Sequence, residues 1–598
     1  MNKNIKEEKV YFKSYRFENI KEAMEYSFDK YSNNYAFIIK TKDENLKSRY
    51  ENNNHKFNSL EYLSIKYSEV LKDAKLFAKY LLEDGYGNKN EKGERLKIGV
   101  ISKNRYEWIL TYLASIFSGI LIVPFDKSLT KSEFLNSVNI ADIDIIVYEK
   151  EYADYINELE EVEKVVMNYE EKNNKLFTIY DAIDSAKSSE KALSENDMYK
   201  LVDDVKIDNN QTSVLLFTSG TTSKSKVVEL SQSNIVSNLV DIKLVEDINE
   251  KDNTLAFLPY HHSFGATGQL AMLYLGITTA YCDGIRYIAK NLSEYNCTMF
   301  IGVPALVEGI YRNIWREIKK QKKEKLIQKM IKVSNMLLKI KIDIRRILFK
   351  KIIDKIGGLR IIISGASGLD PIVHKGLIDF GIDTIQGYGL TETSPIIAAE
   401  NYKEKRIGSV GKAFPSSEII ISEKDENGIG EILVKGKSVM KGYYKNHEAT
   451  NEVFKDGWFR TGDLGYIDND GYIFITGRQK NVIVLKNGKN IYPEEIEEKL
   501  KNIDLIEECF VFGMPDGDDL KLSIKAKYNK EVIKTFYQEK TEDELYEIVW
   551  EKVKEVNKEL PQYKYIKKLY ISHDEFIKSS TNKIKRFEEI KKIMEDLK

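Results

Sequence analysis

Short apolar runs alternate with helix-length amphipathic stretches through most of the chain. The runs KIGVIS (97–102), GILIVPF (119–125), DIIVY (144–148), SVLLF (213–217), TLAFLPY (254–260), TMFIGVP (298–304) and LRIIIS (359–364) are rich in Ile, Val, Leu and Phe. Runs this short and this apolar suit strands covered on both faces. Their alternation with helices predicts an α/β fold of parallel sheets under helices. One apolar stretch, 108–125, is nearly long enough to span a bilayer. Gly119 and Pro124 interrupt it, so a buried helix followed by a buried strand is expected.

Two regions depart from this rhythm. Residues 315–351 are dominated by Lys, Arg, Ile and Leu, with few acids. A basic helical pair inserted between two strands, at about 311–355, is expected there. After about Gly411 the helical alternation gives way to short strands and Gly-bearing turns (GEILVKG, DGWFRTGDLGYIDNDGYIFITG), predicting a β subdomain over about 410–478. The expected division is a large N-terminal domain of helix-covered mixed or parallel sheets, 1–479, and a small mobile α+β C-terminal domain, 480–598.

Composition narrows the class. At 598 residues the chain exceeds one ordinary core. A net charge of −1 gives no global field toward nucleic acid, so any basic site is local. Cys282, Cys297 and Cys509 form no CxxC pair, and the six histidines show no HExxH spacing. The first residues are charged and lack an apolar signal core. A cytoplasmic location follows as the expectation. The basic insertion adds a second one, peripheral contact with the inner face of the membrane.

Four segments carry candidate chemistry. In LLFTSGTTSKSKVVELS (215–231) a strand runs into a loop of Thr218, Ser219, Gly220, Thr221 and Thr222, with Lys224 and Lys226 behind it, and a helix is expected near Ser231. Hydroxyls, backbone N–H groups and lysines suit phosphate oxygens, although GxxxxGK[ST] is absent; a solvated polar loop is the other reading. In 359–395, Gly365 and Ala366 follow a strand, and a helix is expected from about Asp370. Gly387 and Gly389 flank Tyr388, leaving its ring room to stack on a base, and Thr391 and Glu392 offer oxygens to Mg²⁺. Alternatively, Tyr388 is packed in a Gly turn and Glu392 is a surface residue. Asp463 and Arg478 could hold ribose hydroxyls or a phosphate, or be a hairpin Asp and a surface Arg. Lys583 lies in FIKSSTNKIKRF, by itself only a charge run.

In this order the segments resemble the adenylate-forming superfamily, in its long-chain fatty acyl-CoA synthetase branch. TSGTTSKSK looks like the family's phosphate loop, with Ser223 and Val227 where Gly is usual and Ser225 where Pro is usual. LPYHHSFG resembles its second motif, which places His262 beside the substrate carboxylate. SGASG and GYGLTE resemble its adenine-site segments. The resemblance implies ATP, Mg²⁺ on Glu392, and CoA as co-substrate. It implies Asp463 and Arg478 on the ribose, Lys480 at a hinge, and Lys583 as the catalytic lysine, with Asn582 where Gly is usual. It further implies a ligase in lipid metabolism, forming acyl-AMP and pyrophosphate and then a thioester. TMFIGVPALVEGIYRNIW, KNGKNIYPEEIE and the insertion look like the long-chain branch. A carrier-protein acceptor and a degenerate nucleotide-binding regulator are the alternatives.

Overall fold

The apolar runs become the middle strands of two sheets in the computed structural model, which describes residues 10–50, 61–83, 95–171, 176–188, 198–218, 226–401, 403–485, 489–516, 519–578 and 584–596. Two compact units emerge. One comprises Met1–Thr218, Ser225–Glu418 and Val434–Gly457; the other includes Ile419–Leu433 and Trp458–Lys598.

In the first unit, Lys97–Ile101 pairs in parallel with Leu121–Pro124 on one side and Ile145–Tyr148 on the other, and all three strands are buried throughout. Glu163–Val166 extends this sheet in parallel, and Thr212–Phe217 joins its other side. Val227–Ser231 and Gly442–Tyr443 close it antiparallel, making seven strands. The long apolar stretch divides as the sequence predicts. Tyr106–Ser118 is a fully buried helix, Gly119 ends it in the left-handed region at φ 71°, and Leu121–Pro124 follows as a strand. Among the described residues no helix is long and apolar enough to cross a membrane.

The second sheet has nine strands. Thr278–Tyr281, Asn253–Ala256, Met299–Gly302, Ile361–Ser364 and Asp383–Gly389 run parallel in that spatial order. Ile396–Ala399 and Lys412–Ala413 finish one edge antiparallel. Helices Gln232–Val245 and Pro371–Asp379 begin where expected. Ser231 caps the first through a capping box with Asn234, and the Asp370 side chain caps the second. The basic insertion is helical, with Pro304–Lys320, Glu324–Lys339, Arg345–Leu348 and Lys350–Asp354. Its inward residues, among them Ile310, Ile314, Ile327 and Phe349, join the core beside Leu377 and Phe380. The stretch after Gly411 is not purely strand, however. His447–Val453 is a helix capped by Asn446, too short to show a helical period in the sequence.

In the second unit, Trp458–Ile467 and Ile473–Arg478 form an antiparallel pair. Ile506–Asp516, Asp519–Tyr528 and Lys568–Ser572 make a three-stranded sheet. Pro493–Leu500 and Glu542–Lys558 bury Ile496, Leu500, Val549 and Val553 in its core. The last helix, Arg586–Asp596, is tied down at its start. Arg586 forks onto Glu497 at 2.6 and 2.7 Å, and Lys525 reaches Glu589 at 2.6 Å.

Candidate active site

Ligands of open α/β sheets bind beyond the carboxyl ends of the strands. In the first unit those ends carry Asp126 after Leu121–Pro124, Thr218 after Thr212–Phe217, the 258–263 turn after Asn253–Ala256, Gly365 after Ile361–Ser364, and Thr391 after Asp383–Gly389.

Contacts join several of these into one polar line. Thr218 donates from both N and Oγ1 to the carbonyl of Lys226, at 2.9 and 3.0 Å, so the two flanks of TSGTTSKSK are held together. Ser219, Gly220, Thr221 and Thr222 lie outside the described residues. Lys226 Nζ sits 4.6 Å above the ring of Tyr443. The Tyr443 hydroxyl donates to Glu392 Oε1 at 2.9 Å, and Met440 N donates to the Glu392 carbonyl at 2.8 Å. Thr391 Oγ1 lies 3.4 Å from Ser263 Oγ, the first residue of helix Ser263–Leu275, with His262 at its N-cap position and no side-chain capping bond. The rings of His262 and His261 are 4.2 Å apart, and His261 Nε2 is 3.3 Å from Asp126 Oδ1. Burial pushes the Asp126 carboxyl up. Hydrogen bonds from His261 and Ser128, with the His261 charge, outweigh it and hold the group far below the usual range.

Chain packing requires glycine at position 389 and leaves little room at 365, while Gly387 has only ordinary contacts around it. A Cβ on Gly389 would stand 1.7 Å from the Pro395 carbonyl oxygen, and one on Gly365 would stand 3.1 Å from the Phe264 ring. Ala366 takes φ 75°, unusual for a residue with a side chain. Tyr388 is 8% exposed.

In the second unit Asp463 and Arg478 face each other across the antiparallel pair, with Arg478 Nε 2.6 Å from Asp463 Oδ1. Asp463 is buried and its backbone N–H donates to Thr461 Oγ1 at 3.0 Å. Lys480 is exposed, in the turn Gln479–Asn481. Lys583 lies outside the described residues.

Four participants, His261, Ser263, Asp126 and Tyr443, carry no site assignment from the sequence. His261 is the first histidine of LPYHHSFG, and Asp126 directly follows GILIVPF, so both stood beside recognised text. Tyr443 had no such signal, because its role depends on a strand pairing far along the chain, Tyr443 with Val228.

A strand-end polar line in a large α/β unit, followed by a smaller unit with a carboxylate–guanidinium pair, suits a group-transfer enzyme. The chain belongs to the AMP-binding enzyme family, whose model matches residues 48–444, while the model of the AMP-binding enzyme C-terminal domain matches 480–595. Long-chain-fatty-acid--CoA ligase FadD15 of Mycobacterium bovis is 27% identical over 433 residues, 70% of this chain and 71% of its own length. Mouse long-chain-fatty-acid--CoA ligase 5 is 27% identical over 561 residues, 86% of this chain and 80% of its own. The chloroplastic long-chain-fatty-acid--[acyl-carrier-protein] ligase AEE15 of Arabidopsis thaliana is 28% identical over 405 residues, 58% of this chain and 55% of its own. Two solved structures share the fold. ATP-bound MatB from Rhodopseudomonas palustris has a TM-score of 0.70 at 21% identity, covering 95% of this chain and 98% of that one. O-succinylbenzoate coenzyme A synthetase from Bacillus subtilis, with ATP and magnesium ion, has 0.67 at 20%, covering 94% and 98%.

Proposed function

We propose that this protein activates a long-chain fatty acid with ATP, forming acyl-AMP and pyrophosphate, and then transfers the acyl group to CoA with release of AMP. The observation that carries the reading is the continuous polar line from Lys226 through Tyr443, Glu392 and Thr391 to Ser263 and His262, in a chain of the AMP-binding enzyme family. Relatives named as long-chain fatty acid ligases support the acid, and AEE15 keeps a carrier protein open as the second acceptor.

In this reading Thr218, Ser219, Gly220, Thr221, Thr222 and Lys226 hold the ATP phosphates. Gly365, Ala366, Tyr388, Gly389 and Thr391 form the base side, and Asp463 with Arg478 takes the ribose. A carboxylate and hydroxyls at Glu392, Thr391 and Ser263 are hard oxygen donors, a set that fits Mg²⁺. Bound there with ATP, such an ion would neutralise phosphate charge. His262 borders the substrate carboxylate, and Lys583 bridges it to the α-phosphate, offsetting the charge that gathers as the carboxylate attacks. Lys480 is the pivot between 1–479 and 480–598, which withdraws Lys583 before the thiol enters.

Membrane contact through the basic insertion belongs to the same proposal. Leu326, Val333, Met336 and Ile340 lie exposed along one side of helix Glu324–Lys339 and its cap, with Lys325, Lys329, Lys332 and Lys339 exposed among and beside them. Apolar residues amid lysines suit an anionic bilayer surface.

The test is pyrophosphate release from ATP with purified protein, scanning fatty acids from short to long, with and without CoA. Stimulation by long chains with acyl-CoA as product is expected. Stimulation without CoA acylation transfers the second step to a carrier protein. No stimulation by any acid overturns the proposal.

A further inference from the structure

Three side chains with metal-ligand chemistry meet at one end of the polar line. One donor atom each from Asp126, His261 and His262 lies within 4.8 Å of the other two. We propose that these residues form a site for a divalent transition-metal ion of the zinc type, and that filling it brakes adenylation by engaging His262. The site is separate in chemistry from the oxygen donors at Glu392. Two imidazoles and a carboxylate suit Zn²⁺ or Co²⁺, whereas Mg²⁺ favours oxygen and water.

One pair of donors already stands at the spacing of two ligands on one ion, and the third is within 4.8 Å of both. His261 Nε2 and Asp126 Oδ1 are 3.3 Å apart. Two ligands of a tetrahedral site with bonds of roughly 2.0–2.1 Å stand about that far from each other. Three protein ligands leave a fourth position for water or a carboxylate, as in open zinc sites.

The ligands are also held in place. Ser128 donates to Asp126 Oδ1 from its N–H at 2.8 Å and from its hydroxyl at 2.6 Å, the kind of support that orients a ligating carboxylate. The histidines sit in the turn that enters the buried helix Ser263–Leu275. That turn has no slack, since a Cβ on Gly265 would stand 2.1 Å from the Pro259 carbonyl oxygen. Asp126 comes from the end of the buried strand Leu121–Pro124. Two rigid segments distant in sequence thus bring their donors within 4.8 Å of one another, the closeness a preformed metal site needs.

The brake rests on the reading of His262 as neighbour of the substrate carboxylate; the site itself does not. A Co²⁺ titration of the full-length protein, without ATP or acid and followed by visible absorption, therefore decides the site independently. One equivalent should bind with the bands of four- or five-coordinate Co²⁺, and excess Mg²⁺ should leave them unchanged. Asp126→Asn and His261→Gln, each shown folded by circular dichroism, should weaken binding at least about tenfold. Absent bands, or variants that bind as the wild type does, overturn the site. In the pyrophosphate assay with saturating Mg²⁺, Zn²⁺ should slow the wild type and spare His261→Gln. Full activity of zinc-loaded wild type overturns the brake. If no acid is activated by metal-free protein, the brake falls with the activating reading, and the Co²⁺ result still stands.

Discussion

Glu400 and His374 are buried side by side, with His374 Nε2 3.2 Å from Glu400 Oε2 and 3.0 Å from the Thr384 carbonyl oxygen. Burial pushes the Glu400 carboxyl up to about 8, against hydrogen bonds from the Gln386 and Arg406 N–H groups, and pushes His374 down to about 4. Native Glu400 therefore keeps a proton that the unfolded chain releases near 4.5. Its contribution is full below 4.5 and is lost as pH rises toward 8, at about 1.4 kcal/mol per pH unit. His374 acts with the opposite sign between about 4 and 6.5, because there the unfolded chain binds the proton that the native state excludes. Glu400→Gln removes only the first effect. Thermal melts across pH 4.5–8 should show the wild type losing stability relative to this variant as pH rises; parallel profiles would contradict the assignment. Neither residue was legible in the sequence. Their pairing depends on Ile396–Ala399 returning antiparallel beside Asp383–Gly389, and no local pattern announces that.

The insertion shows what an element's pattern reveals and what it hides. Its basic, Ile-rich text predicted helices, and helices formed. The text could not say which apolar residues turn inward, because helix Glu324–Lys339 carries two stripes. Ile327, Met330 and Ile331 face the core, while Leu326, Val333, Met336 and Ile340 face out. Spacings of three and four suit either set, and only the neighbouring core separates them. Replacing Lys325, Lys329, Lys332 and Lys339 by Gln should cut sedimentation with anionic vesicles. At about 1 kcal/mol per lysine near the surface, the four together contribute about 4 kcal/mol, a loss on the order of a thousandfold at low salt. Unchanged sedimentation would end the membrane proposal. The strands were easier to read. The runs Lys97–Ile101, Leu121–Pro124 and Ile145–Tyr148 are buried on both faces, so composition alone marked them, whereas the helix His447–Val453 was too short to leave a period.

For the whole molecule, the proposed chemistry draws on residues from both units, with Glu392 and His262 in the first and Lys583 near the end of the chain. Lys583→Ala should abolish pyrophosphate release while leaving ATP binding largely intact, as measured by equilibrium dialysis; adenylation at the wild-type rate would remove Lys583 from the mechanism. Motif order made this plan legible in the sequence, since it survives substitutions such as Ser223 and Asn582. Contacts such as Tyr443 with Glu392 were not, because they join distant segments. The basic insertion also shapes how the molecule behaves in a flask. Residues 315–351 hold 14 of the 92 Lys and Arg but 3 of the 93 acids, which leaves 78 against 90 elsewhere. A net charge of −1 thus conceals a positive block and a negative remainder. Copies of such a molecule attract one another through unlike regions when ions are scarce. That attraction fades once the Debye length falls to about 10 Å, near 0.1 M salt. A solution that clouds on desalting and clears when salt returns is the ordinary behaviour of this charge layout.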